Sequence, residues 1–322
     1  MPGAVALLQR IRALAGADGK LACAVAWSGG LDSTVLLHLL CEARRAQPRQ
    51  LRLRALHVDH GLQPAAAGFR RFCERTARRW RVPLTVLRPR VEVARGGSLE
   101  EAARRARRAA LAGALAPGEL LLTAQHADDQ LETILLALLR GAGPRGLAGM
   151  PARMPLGAGW LLRPLLEVER AALAKVAAEA RLEWVEDPTN ADPRFDRNYL
   201  RTGVLPVLRA RWPSLAITVA RSARHCASAS ELLEAASARD LAAAANGADL
   251  EVAVLRRFSL PRRAAVLRTW FRRAGARAPN ERHLGEIAAM MAARPDAHPL
   301  LNLPDCKVRR VDGRLVLELK SK

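Results

Sequence analysis

Four times between Leu21 and Gly141 a short apolar run gives way to a helix-like segment, and that alternation leaves few folds open. "LACAVAWS" (Leu21–Ser28) is continuous and apolar, as a strand buried on both faces of a parallel sheet must be. "DSTVLLHLLCEARRA" follows as a helix, with Asp32 or Ser33 as its cap and Leu36, Leu37 and Leu40 on one face. "LRLRALHVDH" reads as a second strand, "AGFRRFCERTARRW" as a helix and "PLTVLRP" as a third strand. "SLEEAARRARRAALAGAL" reads as a helix opened by a capping box of Ser98 and Glu101. "ELLLTAQH" is a fourth strand, and "ADDQLETILLALLRG" a helix ended by Gly141. This rhythm predicts an α/β fold, a doubly wound parallel sheet with helices on both faces. Such sheets bind ligands beyond the carboxyl ends of their strands. Ser28, His57 to His60 and His126 all fall at those ends, so a single cleft is expected to gather them.

Beyond Gly141 the pattern loosens. Residues 141–165 are rich in Gly and Pro and read as a long ordered loop. "DPTNADPRFDRNYLR" (Asp187–Arg201) is polar and turn-rich, then re-enters a helix. Near Trp212 the rhythm changes, which divides the chain into domains 1–212 and 213–322. The second is expected to be a smaller α+β domain. It opens with a long alanine-rich helix, continues through "LEVAVL", and carries the helices "PRRAAVLRTWFRRAG" and "NERHLGEIAAMM". It closes with paired strands "KVRRV" and "RLVLEL" around Asp312-Gly313, a strong hairpin signal.

Charge narrows the class of partner. Lys+Arg number 52 against 31 acidic residues, a net of +21 over 322 residues, and the excess lies in both halves. Coding bias explains why so few of these are lysine, but it does not explain the sum. A field this positive points to a polyanion, and nucleic acid is the reading favoured. The five cysteines (Cys23, Cys41, Cys73, Cys226, Cys306) are scattered, with no Cys-x-x-Cys pair. That argues against a disulfide framework, a zinc ribbon and a Cys-ligated cluster. No run reaches the roughly 18 apolar residues that a membrane span needs. The arginines near the N-terminus follow the apolar run rather than precede it, the wrong order for a signal peptide. The expectation is a soluble cytoplasmic protein.

"WSGGLDS" is the sharpest local motif. Glycines at the end of a buried strand allow a tight turn and a close approach of backbone to ligand. The following helix presents free N–H groups and the positive end of its dipole, and Ser28 and Ser33 add hydroxyls. The stretch fits neither the Walker A pattern, for want of a lysine, nor G-x-G-x-x-G. Two other groupings are open from residue type alone. His57, Asp59 and His60 suit zinc or the wall of a nucleotide site. Asp128, Asp129 and Glu132 suit a helix N-terminus, though Asp129 and Glu132 also share one face and form a cation cradle.

"SGGLDS" resembles the PP-loop of the ATP pyrophosphatases, which cleave ATP between the α- and β-phosphates and pass AMP to a substrate oxygen. "HVDHGL", "GSLEEAAR", "TAQHADDQLETILLALLRGAGPRGLAGM", "RPLL" and "DPTNADPRFDRNYLR" extend the likeness, over residues 20–202, to the tRNA(Ile)-lysidine synthase family. The resemblance implies ATP-dependent ligation of free L-lysine to C2 of the wobble cytidine of a CAU-anticodon tRNA(Ile), through an adenylated cytidine. Cofactors are then ATP and Mg2+. Ser28, Gly29, Gly30, Leu31, Asp32 and Ser33 would bind ATP, with Asp32 also on magnesium, His57 walling the site and Arg104 near phosphate. Asp129 and Glu132 would recognise lysine, and His126 would contact the reacting base or its phosphate. Arg197, with Asn198 and Arg201, lies where the family closes its active site; packing of the linker is the alternative. Arg262, Arg263, Arg268, Arg272 and Arg273 on one helix would meet acceptor-stem phosphates. The chain ends soon after the hairpin and so resembles the shorter form of the family. Another PP-loop enzyme, a tRNA thiolase, and a non-enzymatic RNA-binding protein with a relic loop are the competing readings.

Overall fold

The computed structural model describes residues 3–59, 61, 66–93, 98–186, 194–294, 297 and 299–320. His60, Gly97 and residues 187–193, which the sequence singles out, lie outside the described residues. The chain divides into two compact units, Met1–His225 and Cys226–Lys322.

In the first unit the elements are α1 (Ala4–Ala15), β1 (Leu21–Ala26), α2 (Leu31–Ala46), β2 (Leu51–Val58), α3 (Ala66–Trp80), β3 (Leu84–Leu87), α4 (Leu99–Gly113) and β4 (Leu120–Leu122). They continue through α5 (Ala127–Leu139), α6 (Pro144–Leu147), β5 (Arg153–Leu156), β6 (Gly159–Leu162), α7 (Arg170–Glu179), α8 (Asp196–Tyr199) and α9 (Leu205–Arg211). The strand order is β3-β2-β1-β4-β6-β5, parallel except for β5. Alternate side chains of each strand serve opposite faces. Cys23 and Val25 enter a core with Leu7, Ile11, Leu36, Leu37, Leu40, Phe72, Cys73 and Leu173, from α1, α2, α3 and α7. Ala24 and Ala26 enter a second core with Leu56, Leu121 and Leu111, the last from α4. Burying each large aliphatic side chain is worth about 1.5–3 kcal/mol, so the helices are held chiefly by these stripes. The doubly wound parallel sheet expected from the sequence is therefore present. The chain builds outward from β1 to β3, then returns to lay β4 on the other side of β1. A crevice opens where the order reverses, beyond the carboxyl ends of β1 and β4.

Three local expectations need correction. The cap of α2 is Gly30, not Asp32 or Ser33, which lie within the first turn. Ser98 stands at the N-cap of α4 with extended backbone, but its side chain makes no cap hydrogen bond, so the box with Glu101 does not form. Residues 98–101 are exposed there, and water can serve those amides. Residues 141–165 are not one loop: they hold α6 and the β5–β6 hairpin. Pro155 disguises it, and is tolerated because β5 is the sheet's edge strand. Gly157, with φ +56°, makes the two-residue turn, and a Cβ on Gly159 would stand 2.2 Å from the Glu119 carbonyl oxygen.

The second unit, entered along α10 (Leu215–Ala244), contains β7 (Ala245–Asn246), β8 (Asp249–Glu251), α11 (Val252–Arg257), α12 (Leu260–Arg273), α13 (Glu281–Ala292), β9 (Leu300–Asn302), β10 (Cys306–Val311) and β11 (Arg314–Leu319). Its antiparallel sheet runs β7-β8-β11-β10-β9. Val266, Leu267, Phe271, Ile287 and Met291 pack from α12 and α13 on Leu250, Cys306, Val308 and Leu315. "LEVAVL" is split between β8 and α11, because Leu250 pairs with Leu315 while Val252 and Leu255 already bury on a helical spacing. Asp312 and Gly313, at φ +46° and +75°, turn the β10–β11 hairpin as their dipeptide foretold.

Gly29→Ala tests the turn after β1. Its φ of +89° and crowded surroundings should cost about 2 kcal/mol or more of unfolding free energy. Gly68→Ala within α3, where a Cβ meets nothing within 4 Å, should raise stability by about 0.5–1 kcal/mol. Denaturant unfolding of the two variants against wild type checks both signs.

Candidate active site

After β1 the chain passes Trp27, which is 1% exposed, lies 6.4 Å from the Trp80 ring and donates through Nε1 to Thr34 Oγ1 at 3.0 Å. The next three residues make the turn. A Cβ on Gly29 would meet Val185 Cγ2 at 3.0 Å, Cys73 Sγ at 3.2 Å and Phe72 Cδ1 at 3.3 Å. The Val185 amide donates to the Gly29 carbonyl at 3.0 Å and ties a distant segment to the turn. Ser33 Oγ donates to the Gly30 carbonyl at 3.1 Å and accepts from the Ser28 amide at 3.3 Å. Ser28 Oγ accepts from the Gly30 amide at 3.3 Å and lies 3.0 Å from Ser33 Oγ. The serines thus rigidify the loop from within. A glycine N-cap brings no side-chain oxygen, so the amides of Leu31, Asp32 and Ser33 are left for an external anion.

At the end of β4, His126 caps α5 in a genuine capping box. The Asp129 amide donates to His126 Nδ1 at 3.3 Å, and the His126 amide donates to Asp129 Oδ2 at 3.2 Å. His126 Nε2 lies 3.6 Å from Asp32 Oδ2 and 3.4 Å from Asp129 Oδ2, which bridges the two strand ends. Burial pushes the imidazole's pKa down, but the Asp32 hydrogen bond and the charges of Asp129, Asp32 and Asp128 outweigh it and hold it above its ordinary 6.5. Protonation exchanges the cap bond at Nδ1 for the charge of Asp128, 3.6 Å away. Asp128 itself accepts from the Arg170 amide at 2.8 Å and pairs with Arg209.

Asp129 and Glu132 come together on α5 as their spacing predicts. Glu132 is 1% exposed, and both carboxylates are already met by arginine. Arg201 places Nη2 at 2.9 Å from Asp129 Oδ1 and Nε at 2.5 Å from Glu132 Oε1. Arg197 Nε lies 3.2 Å from Glu132 Oε2, and its Nη2 donates to Thr133 Oγ1 at 2.9 Å. Burial pushes the Glu132 carboxyl upward, against the pull of Arg201 and Arg197. Arg201 sits in a π-helical turn, Leu200–Val204, a distortion common at functional sites.

These pieces line one cleft of about 760 Å³. Of the residues expected there, Ser28, Gly30, Leu31, Asp32, Ser33, Asp129 and Arg197 line it, and Arg201 joins them. Gly29, His126 and Glu132 stand behind its wall. His57 is 4% exposed, with Nδ1 3.0 Å from the Trp27 carbonyl, and is not among the lining residues. Asp59 pairs with Arg70 at 3.3 Å, and among the described residues no three His, Cys, Asp or Glu group to hold a metal by themselves. Arg104 is exposed outside the cleft; Arg107, on the same helix, lines it. Arg107 reads from the sequence as part of a solvated helix face with Arg104, Arg105 and Arg108, but it lines the cleft. Arg170, Thr202 and the stretch Trp184–Glu186 also line it and were not singled out by the sequence. A large aromatic ahead of a polar, turn-rich stretch, in a chain with only 4% aromatics, was the available signal for Trp184.

The α12 arginines of the second unit are mostly engaged. Arg262 forks onto Asp240 at 2.6 and 2.9 Å and lies over the Phe258 ring. Arg263 donates to the carbonyls of Leu255, Arg256 and Phe258. Arg268 pairs with Glu281 at 2.6 Å, and Arg272 donates to Thr269 Oγ1 at 3.0 Å. Arg273 is exposed.

Residues 5–208 match the family described as PP-loop domain, and residues 250–316 match the one described as TilS substrate binding domain. A buried strand, a serine-glycine turn and an open helix N-terminus at a sheet's switch point are the features of that first class. Among relatives, the tRNA(Ile)-lysidine synthase of Pseudomonas aeruginosa is 45% identical over 302 residues, 90% of this chain and 67% of that protein. Those of Yersinia pseudotuberculosis and Coxiella burnetii are 44% and 42% identical, over 91% of this chain and 65% of each relative. The chain belongs to the tRNA(Ile)-lysidine synthase family, and spans about two thirds of the length of these relatives. A solved U34-tRNA thiolase, NcsA from Methanococcus maripaludis, shares the fold at TM-score 0.52 and 15% identity, over 68% of this chain and 77% of that one.

The site's electrostatics set a pH signature. The raised pKa of His126 means that its favourable contribution is full below 6.5 and is lost as pH rises through the folded value. NMR titration should place its midpoint above 6.5 in wild type and lower in Asp32→Asn. The stability deficit of His126→Gln should shrink as pH rises through that midpoint.

Proposed function

We propose that this chain joins free L-lysine to C2 of the wobble cytidine in a CAU-anticodon tRNA(Ile), at the expense of ATP. The observation that carries the reading is the pairing of a helix N-terminus open to phosphate with an acidic cluster beside it, in a member of this family. In the first half-reaction the cytidine O2 attacks the α-phosphorus of ATP, and the bond to pyrophosphate breaks. In the second, the ε-amine of lysine attacks C2, the C2–O bond breaks, and AMP leaves. The amides of Leu31, Asp32 and Ser33 hold phosphate oxygens, and Asp129 with Glu132 attracts the lysine ammonium. Arg201 aligns both carboxylates and Arg197 braces Glu132, so the substrate meets an acidic cluster that already holds resident arginine rather than an empty acid pocket. His126 positions Asp32 against Asp129.

Asp32 Oδ1 is buried and has no hydrogen-bond partner. One such carboxylate fits Mg2+, which is commonly held by one or two carboxylates together with substrate phosphates. Magnesium bound there would neutralise charge on the departing pyrophosphate. For the tRNA, exposed arginine in the second unit, Arg273 among the predicted set, meets backbone phosphate, while Arg262, Arg263 and Arg268 chiefly brace their own domain. No helix among the described residues is long and apolar enough to cross a membrane, and we place the reaction in the cytoplasm, where ATP and tRNA are found. Thiolase chemistry is disfavoured by the scatter of the five cysteines, which form no Cys-x-x-Cys pair; burial also pushes Cys23 and Cys73 up to about 12 and Cys41 up to about 11.

Labelled lysine and ATP offered with tRNA(Ile) bearing CAU, and separately with the methionine tRNA of the same anticodon, test the reading. Lysine should enter the first alone, and Asp32→Ala should stop AMP transfer. Asp129→Asn should raise the KM for lysine by about 10- to 100-fold, the worth of one hydrogen bond to a charged group. Absence of lysine incorporation, or incorporation of sulfur, would overturn it.

A further inference from the structure

A polyphosphate needs compensating charge, yet the loop from Ser28 to Ser33 contains no lysine or arginine. Four arginines line the cleft: Arg107, Arg170, Arg197 and Arg201. Arg201 and Arg197 are committed to Asp129, Glu132 and Thr133. Arg170, at the first turn of α7, reaches the loop from the opposite wall, with Nε 3.7 Å from Asp32 Oδ1. That separation is an ion pair without a hydrogen bond, and Asp32 Oδ1 makes none elsewhere. The base of Arg170 is fixed, because its amide donates to Asp128 Oδ2 at 2.8 Å and Asp128 is clamped by Arg209. Apart from that ion pair the side chain is 59% exposed, which leaves its tip room to move. A rigid anchor, a loose guanidinium and a contact of partial strength describe a group held ready for a stronger partner. A guanidinium forks onto two phosphate oxygens with shorter, charge-assisted bonds.

We propose that Arg170 binds the β- and γ-phosphates of ATP, and hence the pyrophosphate product, supplying from across the cleft the cation that the loop lacks. Nucleotide phosphate would draw the Arg170 guanidinium off the Asp32 carboxylate, which would then be open to hold magnesium. The inference rests on the ATP-dependent reading above. It separates Arg170 from the residues that would hold AMP, because the two halves of the nucleotide part company at the α–β bond.

Affinities of Arg170→Gln and Arg170→Lys for ATP, pyrophosphate and AMP, each with magnesium, test it in the full chain. Arg170→Gln should weaken ATP and pyrophosphate by about 10- to 100-fold, as loss of a charged hydrogen bond does, and leave AMP within about twofold. Arg170→Lys should recover part of the loss, and both variants should keep the wild-type unfolding midpoint. Unchanged ATP and pyrophosphate affinity, or an AMP affinity that falls in step with ATP, would overturn the proposal. Wild-type protein that binds no nucleotide would instead overturn the ATP reading beneath it.

Discussion

Gly29 holds a backbone angle open to few other residues, with Val185, Cys73 and Phe72 crowding the place of its missing side chain. That turn sends β1 into α2 and aims unpaired amides into the crevice. Trp27, packed against Trp80 and bonded to Thr34, fixes the strand side of the turn. The Ser28–Ser33 contacts fix the helix side. Release the turn, and Asp32 loses its register with His126 and Arg170. The acidic cluster on α5 depends on the same geometry from across the crevice, because His126 touches both Asp32 and Asp129.

Much of this was legible in the residues. The apolar run of β1 and the stripes of α2 and α5 follow from burial on fixed periods, and the switch point follows from the order of elements. Tertiary events hid the rest. Pro155 and Gly157 look like loop residues until β6 is known to take β5 as an edge partner. Ser98 has the right neighbours for a capping box but stands in water, which removes the need for one. His126, a poor cap by residue type, caps α5 because Asp32 and Asp129 beside Nε2 favour the proton there and leave Nδ1 to accept. Sequence spacing brings Asp129 and Glu132 together, but not Arg201, which arrives from about seventy residues later along a π-helical turn.

The arginines show the same limit from another side. Net charge of +21 points to a polyanion, yet it cannot say which guanidiniums are spare. In α12 most are spent on Asp240, Glu281 and backbone carbonyls. In the cleft, Arg197 and Arg201 offset buried Glu132, whose isolated charge would be costly. Arg170 is fixed at its backbone and makes only a 3.7 Å ion pair at its side chain, which is why it is the arginine proposed for the nucleotide.

The most direct measurement is a crystal structure of the protein with a non-hydrolysable ATP analogue and magnesium. The account requires the α- and β-phosphates to rest against the amides of Leu31, Asp32 and Ser33, with the metal at Asp32. A triphosphate ordered anywhere else on the molecule would contradict it.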